Sequence, residues 1–329
     1  MTYHTAFQKA ASRSSRTQYL SEQDASLTVQ DHAVTYSCVM KRVLGMGLRV
    51  HFRKAAAFTL RLLAYPRSSL RWYGFLADFA GQHRLGLPHD DLIRKAIPNF
   101  FLYKASLRER ACWLKNHFAI AGQVMMPEDL QRLWQGGRVH IGSVAGKRDC
   151  YDLILCLSDH AGARHEGGFT ISLYRRRDKA FLHMLSFIFT NDSTGNVTLA
   201  IGGFQGAKGE DAKRSVIDAT RDLYGVRPKD ALLLVAEGMA AAGGSDHFMA
   251  IDNDSHVINF RHSARRGKMM SDLNHYWAER GGEPAGRFGY VLPLRNADLS
   301  QATAKRDLCK SEFLLTGRQM VMAGHDTVT

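Results

Sequence analysis

Five segments rich in β-branched and aromatic residues, 138–146, 151–160, 167–176, 179–191 and 196–206, follow one another with only a few residues between them. A parallel pair needs a crossover of a dozen residues or more, so spacings this short allow only antiparallel neighbours. The stretches NDSTGN at 191–196 and RRRD at 175–178 carry residues that close hairpins. The middle of the chain is therefore expected to be an antiparallel meander around which everything else must pack.

The flanks have a helical period. In 41–66, Leu, Val and Phe mix with Arg and Lys at helical spacing until Pro66 ends or bends the segment. Ser68 or Ser69 then caps a helix that carries Leu70, Tyr73, Leu76 and Ala77 on one face. Ser106 and Glu109 stand at capping-box spacing, and Gly136 and Gly137 stop the helical block. Beyond the meander, 211–225 and 228–244 read as two helices, the second with Pro228 in its first turn and Gly243 and Gly244 at its end. A short strand at 246–253, a helix at 268–282, an edge strand at 286–294 stopped by Pro293, and a helix at 300–319 complete the reading. The expected fold class is α/β in the α+β sense: a helical N-terminal region, then a mixed, mostly antiparallel sheet flanked by helices. The expected organisation is a flexible arm (1–40), a basic helical region (41–137), an α/β domain (138–320) and a loose tail (321–329).

Hydrophobic residues at 45% and charged residues at 23% are those of a globular chain, so extensive disorder is excluded. The formal net charge is +13, and residues 1–110 hold 17 Lys and Arg against 7 Asp and Glu. Such an excess suits an anionic partner, such as an acidic membrane surface, a phosphorylated small molecule or nucleic acid, or else serves as a solubilising surface. Nucleic-acid binding would rest on charge alone, since no helix-turn-helix, zinc-finger or RNP pattern is present. The five cysteines, Cys38, Cys112, Cys150, Cys156 and Cys309, are scattered and include no CxxC, which fits free thiols in a reducing compartment. No apolar run is long enough to span a bilayer, and the polar first thirty residues do not resemble a signal peptide. The chain reads as cytoplasmic or peripheral at the inner membrane.

The sharpest motif is IGGFQGAKGEDA, residues 201–212. It fits neither the Walker A nor the Rossmann glycine spacing. It lies close to the Q/R-x-x-G-x-G/A turn by which acyl-CoA-dependent acetyltransferases of the GNAT fold hold a pyrophosphate on backbone amides at a helix N-terminus, with Gly209 one residue late after Gln205. Gly203, Gln205, Gly206, Lys208 and Gly209 are thus candidate cofactor-binding residues, for acyl-CoA. Glu210 and Asp211 oppose a phosphate, and Lys208, Lys213 and Arg214 offset them. The alternative is a glycine-rich strand end that permits close backbone packing. In AIDNDSHVINFR, 250–261, His256 is a candidate proton acceptor, with Asn253 and Arg261 as candidate substrate contacts; a turn-filling histidine is the alternative. Glu237, in the apolar run ALLLVAEGMAA, is a candidate acid or base, or a carboxylate at the solvent edge of its helix. The arginines of YRRRD, 174–178, suit an exposed hairpin turn. His160, His165 and His183 show no ligand grouping along the sequence, so no metal is expected.

Several motifs agree in order and spacing with one family. NFFLYKASLRERACWLKNHF, LSFIFTN, IGGFQG, YGVRPKDALL, AIDNDSHV and YWAERGG…FGYVLPL, spread over about residues 95–320, resemble the VirK/YbjX family (DUF535). The resemblance implies a bacterial cytoplasmic protein linked to envelope properties, virulence and stress responses, and brings no settled chemistry. The chain departs from the family in its Asn253-Asp254-Ser255-His256 turn, where Ser-Asn commonly precedes the His-Val pair. Three functions stay open. One is a GNAT-like acyltransferase or acyl-CoA-binding protein; the second is a non-catalytic basic adaptor that binds an acidic membrane surface or an envelope protein through 41–110; the third, resting on charge alone, is a nucleic-acid-associated stress-response protein.

Overall fold

The computed structural model describes residues 34–46, 52–260, 272–294 and 303–321. The meander forms as expected: β1 (Val139–Ala145), β2 (Cys150–Leu157), β3 (Phe169–Arg175), β4 (Ala180–Asn191) and β5 (Val197–Gly206) pair antiparallel in sequence order. Strand alternation gives the meander two unlike faces. Leu153, Ile171 and Leu185 lie in the core, as do Leu155, Leu173 and Phe187. The opposite face carries a row of register partners, Ile154, Ser172, Met184 and Gln205, across four strands.

Beyond β5 come two helices, α7 (Ala212–Asp222) and α8 (Pro228–Ala242), and then β6 (His247–Ile251), which lies parallel to β5. A helical crossover of this kind is what a parallel neighbour requires. β8 (Gly289–Pro293) pairs with β6, and the three-residue β7 (Glu283–Ala285) pairs outside β8, giving the order β1-β2-β3-β4-β5-β6-β8-β7. The expected edge strand at 286–294 is thus an inner one. Pro293 ends it, as read, but the edge is taken by β7, which at three residues, with Pro284 inside it and glycines on both sides, is too short to be recognised from its own sequence. Helix α9 (Leu273–Ala278) follows β6, and α10 (Lys305–Met320) packs on α8 and β1.

The N-terminal region supplies α1 (Tyr36–Leu44), α2 (Phe52–Ala64), α3 (Pro66–His83), the short α4 (Asp90–Ile93), α5 (Leu107–Val124) and α6 (Pro127–Trp134). The Ser106–Glu109 capping box is present at the start of α5. Helix α1 begins inside the stretch expected to be an arm. These helices do not form a separate body: one hydrophobic cluster joins Val39, Trp72, Phe118 and Trp134 to Phe169, Ile201, Leu232 and Phe313.

Two features lock the halves together. The side chain of Arg110, buried on α5, donates to the carbonyls of Pro98 (2.6 Å), Leu102 (3.0 Å) and Tyr103 (2.8 Å). That fixes a loop in which Phe101, at φ 64°, donates its amide to His165 and Tyr103 donates its amide to Ser255. The second is a β-bulge. Ser186 pairs with Gly203 but Phe187 with Ile201, so Gly202 is an extra residue in β5. Pairing of β5 with β6 stops at Ile201, and the two strands part there. A Cβ at Gly202 would stand 1.8 Å from the Glu166 carbonyl oxygen and 2.8 Å from the Phe101 ring.

The contrast between two glycines is testable by denaturant unfolding. Gly202→Ala should cost about 2 kcal/mol or more, because the atom it meets is backbone. Gly74→Ala, mid-helix on α3 with nothing within 4 Å of its added Cβ, should gain up to about 1 kcal/mol. Equal effects would show that the bulge is not a close-packed joint.

Candidate functional site: a cavity on the meander and a basic helical face

A cavity of about 380 Å³ lies over the polar face of the meander. Its floor is the row Ile154, Ser172, Met184 and Gln205, with Cys156, Tyr174 and Phe181 beside it. Arg138, His160 and Lys208 stand among its walls. The lining is about equally polar and apolar, with Ile154, Met184 and Phe181 set among Ser172, Gln205 and the cationic or ionisable groups of the wall, which suits a small ligand that carries both kinds of surface. Burial pushes the Cys156 thiol up to about 11, so it is a neutral part of the lining, not a nucleophile. Below the adjoining row, Arg176 and Ser143 bond to the buried carboxylate of Asp152, and His140 Nε2 lies 3.4 Å from it. Burial would raise that carboxyl, but these bonds outweigh it and hold it well below the usual range, so the group is a fixed anion that anchors Arg176.

The glycine turn divides into two parts. Gly203 is buried; a Cβ there would lie 2.7 Å from Glu166 Oε2 and 3.2 Å from His256 Nε2. Gln205 lines the cavity but donates its side-chain amide to Glu166 Oε1 at 3.0 Å. This half is the close-packing alternative. The second half is open. Residues 208–211 are exposed, Gly209 has φ +103° with nothing within 4 Å of a Cβ, and α7 starts behind them with no side-chain cap from Asp211. Gly206 and Lys208 join this turn to the cavity.

The other predicted residues lie elsewhere. His256 is buried, and its Nδ1 accepts the amide of Ile258 at 3.1 Å, which leaves the proton of a neutral ring on Nε2. Asn253 accepts the amide of Leu273 and donates to Asp272, which splices the β6 exit turn to α9. Glu237 is buried on α8, not at a solvent edge. None of the three lines the cavity. Arg261 lies outside the described residues.

Two groupings were not visible in the sequence. His160 Nε2 lies 2.7 Å from Asp91 Oδ2, and His89 Nδ1 lies 3.6 Å from the same oxygen. The His160 bond holds the Asp91 carboxyl down to about 2 despite burial, helped by Arg94. His89 and Asp91 sit at the start of α4, far from His160 in sequence, so only the fold brings them together. The second grouping is on α2. Phe52, Leu60 and Leu63 are 81%, 68% and 73% exposed, and with Ala56 and Thr59 they fall at i, i+4, i+7, i+8 and i+11, one stripe of the helix. The opposite side buries Phe58, and Leu44 on α1 is 78% exposed. Residues 32–77 contain eight Lys and Arg and no Asp or Glu. Among the described residues no helix is long and apolar enough to cross a membrane.

A family model described as "Protein of unknown function (DUF535)" matches residues 49–308. The chain belongs to this family. It is 25% identical over 252 residues, 76% of each chain, to "Uncharacterized protein YbjX" of Escherichia coli (strain K12). No solved structure matches. The family match takes in the basic helices from residue 49 as well as the whole meander, a longer span than the motifs alone delimit.

The joint between Glu166 and Gln205 separates packing from ligand binding. Gln205→Ala should lower stability by about 1 kcal/mol through loss of the bond to Glu166. Lys208→Ala, on the exposed turn, should leave the unfolding midpoint unchanged within error. A large loss for Lys208→Ala would assign the turn a structural role instead.

Proposed function

We propose that this protein is a peripheral membrane-surface protein that docks on anionic lipid through α1 and α2. The observation that carries this reading is the stripe of exposed Phe52, Thr59, Leu60 and Leu63 with half-buried Ala56 among them, inside a stretch of eight basic and no acidic residues. A large exposed apolar stripe on a folded domain is a liability unless something covers it. An interfacial helix puts such a stripe into the acyl boundary while its basic flanks meet lipid phosphates. Each inserted Leu or Phe is worth up to about 1.5–3 kcal/mol, and each Lys or Arg near an anionic surface about 1 kcal/mol. The reading gives the envelope association implied by family resemblance a physical form.

A second reading is supported by the cavity. The meander, glycine turn, two helices and further strand follow the order expected of a GNAT-like domain, and the cavity opens beside the exposed 208–211 turn. We infer that the site takes an acyl-CoA-class ligand, its phosphates at Lys208 and Arg138 and its apolar part over Ile154 and Met184. This is binding without an assigned transfer step, because His256 and Glu237 do not reach the cavity.

The two readings separate cleanly. Full-length protein should co-sediment with phosphatidylglycerol vesicles and not with phosphatidylcholine, and Leu60→Asp with Leu63→Asp should weaken this at least about tenfold while leaving the melting temperature in place. Equal binding to both lipids, or none, would sink the first reading. For the second, saturating acyl-CoA should raise the melting temperature of the wild type and not of Arg138→Glu/Lys208→Glu, a ligand at about a hundred times its Kd adding about 2.7 kcal/mol. No shift with CoA or any acyl-CoA ends it.

A further inference from the structure

We propose that His89, Asp91 and His160 form a binding site for a divalent first-row transition metal ion, with Zn²⁺ as the probe, at the edge of the meander cavity. Ligand atoms of the three side chains lie within 4.8 Å of one another, each half-buried, and they come from two segments that meet only in the folded chain. Zn–N and Zn–O bonds of about 2.0–2.1 Å place tetrahedral ligand atoms about 3.3 Å apart. The distances of 2.7 Å from His160 Nε2 to Asp91 Oδ2, and 3.6 Å from His89 Nδ1 to the same oxygen, bracket that spacing. The imidazoles of His89 and His160 stand at 88° to each other with centroids 4.9 Å apart. Two imidazoles and a carboxylate suit Zn²⁺ or Fe²⁺ and not the oxygen-only preference of Ca²⁺.

The surroundings are arranged for this. Arg94 pairs with Asp91 through Oδ1, which fixes the carboxylate and leaves Oδ2 as the oxygen facing both histidines. Other nearby cations already have acidic partners: Arg42 pairs with Asp90, and Lys95 with Asp159, which also lies 3.7 Å from Arg164. Gly136, at φ +84°, closes over the two rings, where a Cβ would come within 2.6 Å of His89 and 3.0 Å of His160. The His89 amide donates to the Trp134 carbonyl, which ties the α4 entrance to the end of α6. His89 Nδ1 accepts the Asp91 amide at 3.2 Å, a long bond that coordination would replace.

The His160–Asp91 bond and the N-cap bond of His89 to the Asp91 amide together set both imidazoles against one carboxylate oxygen. Three protein ligands leave one or more coordination positions open, the condition of catalytic rather than purely structural zinc. His160 belongs both to this triad and to the cavity wall. An exogenous ligand with a carboxylate or phosphate group, drawn by Arg138 and Lys208, therefore has an ion within reach.

The test uses the full chain, stripped with a chelator and titrated with Zn²⁺ against a chromophoric competitor. One equivalent should bind, and Co²⁺ in its place should give the visible absorption of a low-symmetry site. His89→Ala and His160→Gln should each weaken binding at least about tenfold, while His275→Ala, in the exposed His275–Glu279 pair, should change nothing. His160→Gln keeps a polar side chain at the cavity wall; its melting temperature, compared with metal-free wild type, shows whether it is folded. Absence of stoichiometric binding to wild type, or binding that survives both substitutions, or binding lost in His275→Ala, would overturn the proposal.

Discussion

The carbonyl oxygen of Glu166 occupies the space that a side chain at position 202 would need. Because Gly202 has none, the β2–β3 connection can lie directly on β5, and the extra residue of the bulge turns the strand away from β6. Phe101 and His256 come to the same spot, the first from the N-terminal helical layer and the second from the exit of β6. One backbone contact thus brings three distant parts of the chain together. Arg110, with its three carbonyl acceptors, keeps the Phe101 loop in the shape that reaches there. A buried guanidinium is tolerable because each bond is charge-assisted.

This joint also explains why the chemistry expected at the glycine turn is not found where the sequence placed it. Gly203 and His256 do meet, as a transferase reading would want, but they meet as packing. Nδ1 of His256 is taken by a backbone amide, and the ring does not line the meander cavity. A lone sequence shows a glycine-rich strand end followed by a helix. It does not show which loop lies on those glycines, since Glu166 is some forty residues away and carries no signal of its own. The open half of the turn, 208–211, is the part whose character was legible: its residues are exposed, and nothing lies within 4 Å of a Cβ at Gly209.

The meander, the two helices after it and the short strand that follows them were legible because each rests on a local regularity: strand alternation, helix stop signals at Gly225 and Gly243, and the connection lengths. The inner position of β8 was not, because strand order depends on a three-residue partner. Nor was the joining of the helical region and the sheet through one hydrophobic cluster. A basic amphipathic run such as 41–66 reads first as a packed helical layer, because its apolar positions are broad enough for core, and second as a surface helix. The fold divides it: Phe58 goes to the core, and Phe52, Leu60 and Leu63 go to solvent. The buried side of α2 is that of a packed helical layer, and the exposed side is the one on which the membrane-surface proposal rests.

That division bears on how surface and cavity relate. The helices carrying the exposed stripe share a hydrophobic core with the strands that floor the cavity, through Phe118, Trp134 and Phe169. Close-packed interiors transmit displacement poorly by bending and well by rigid motion. A surface held by α2 would therefore fix the orientation of the cavity mouth, without any change of shape in the sheet. The charge distribution agrees with this geometry. The described residues of the acid-free stretch 32–77 belong to the helical layer, whereas the cavity's cations, Arg138 and Lys208, line the sheet. The two proposed ligands thus draw on separate basic features of one chain, the helical stretch for an extended anionic surface and the sheet cavity for a small anionic ligand.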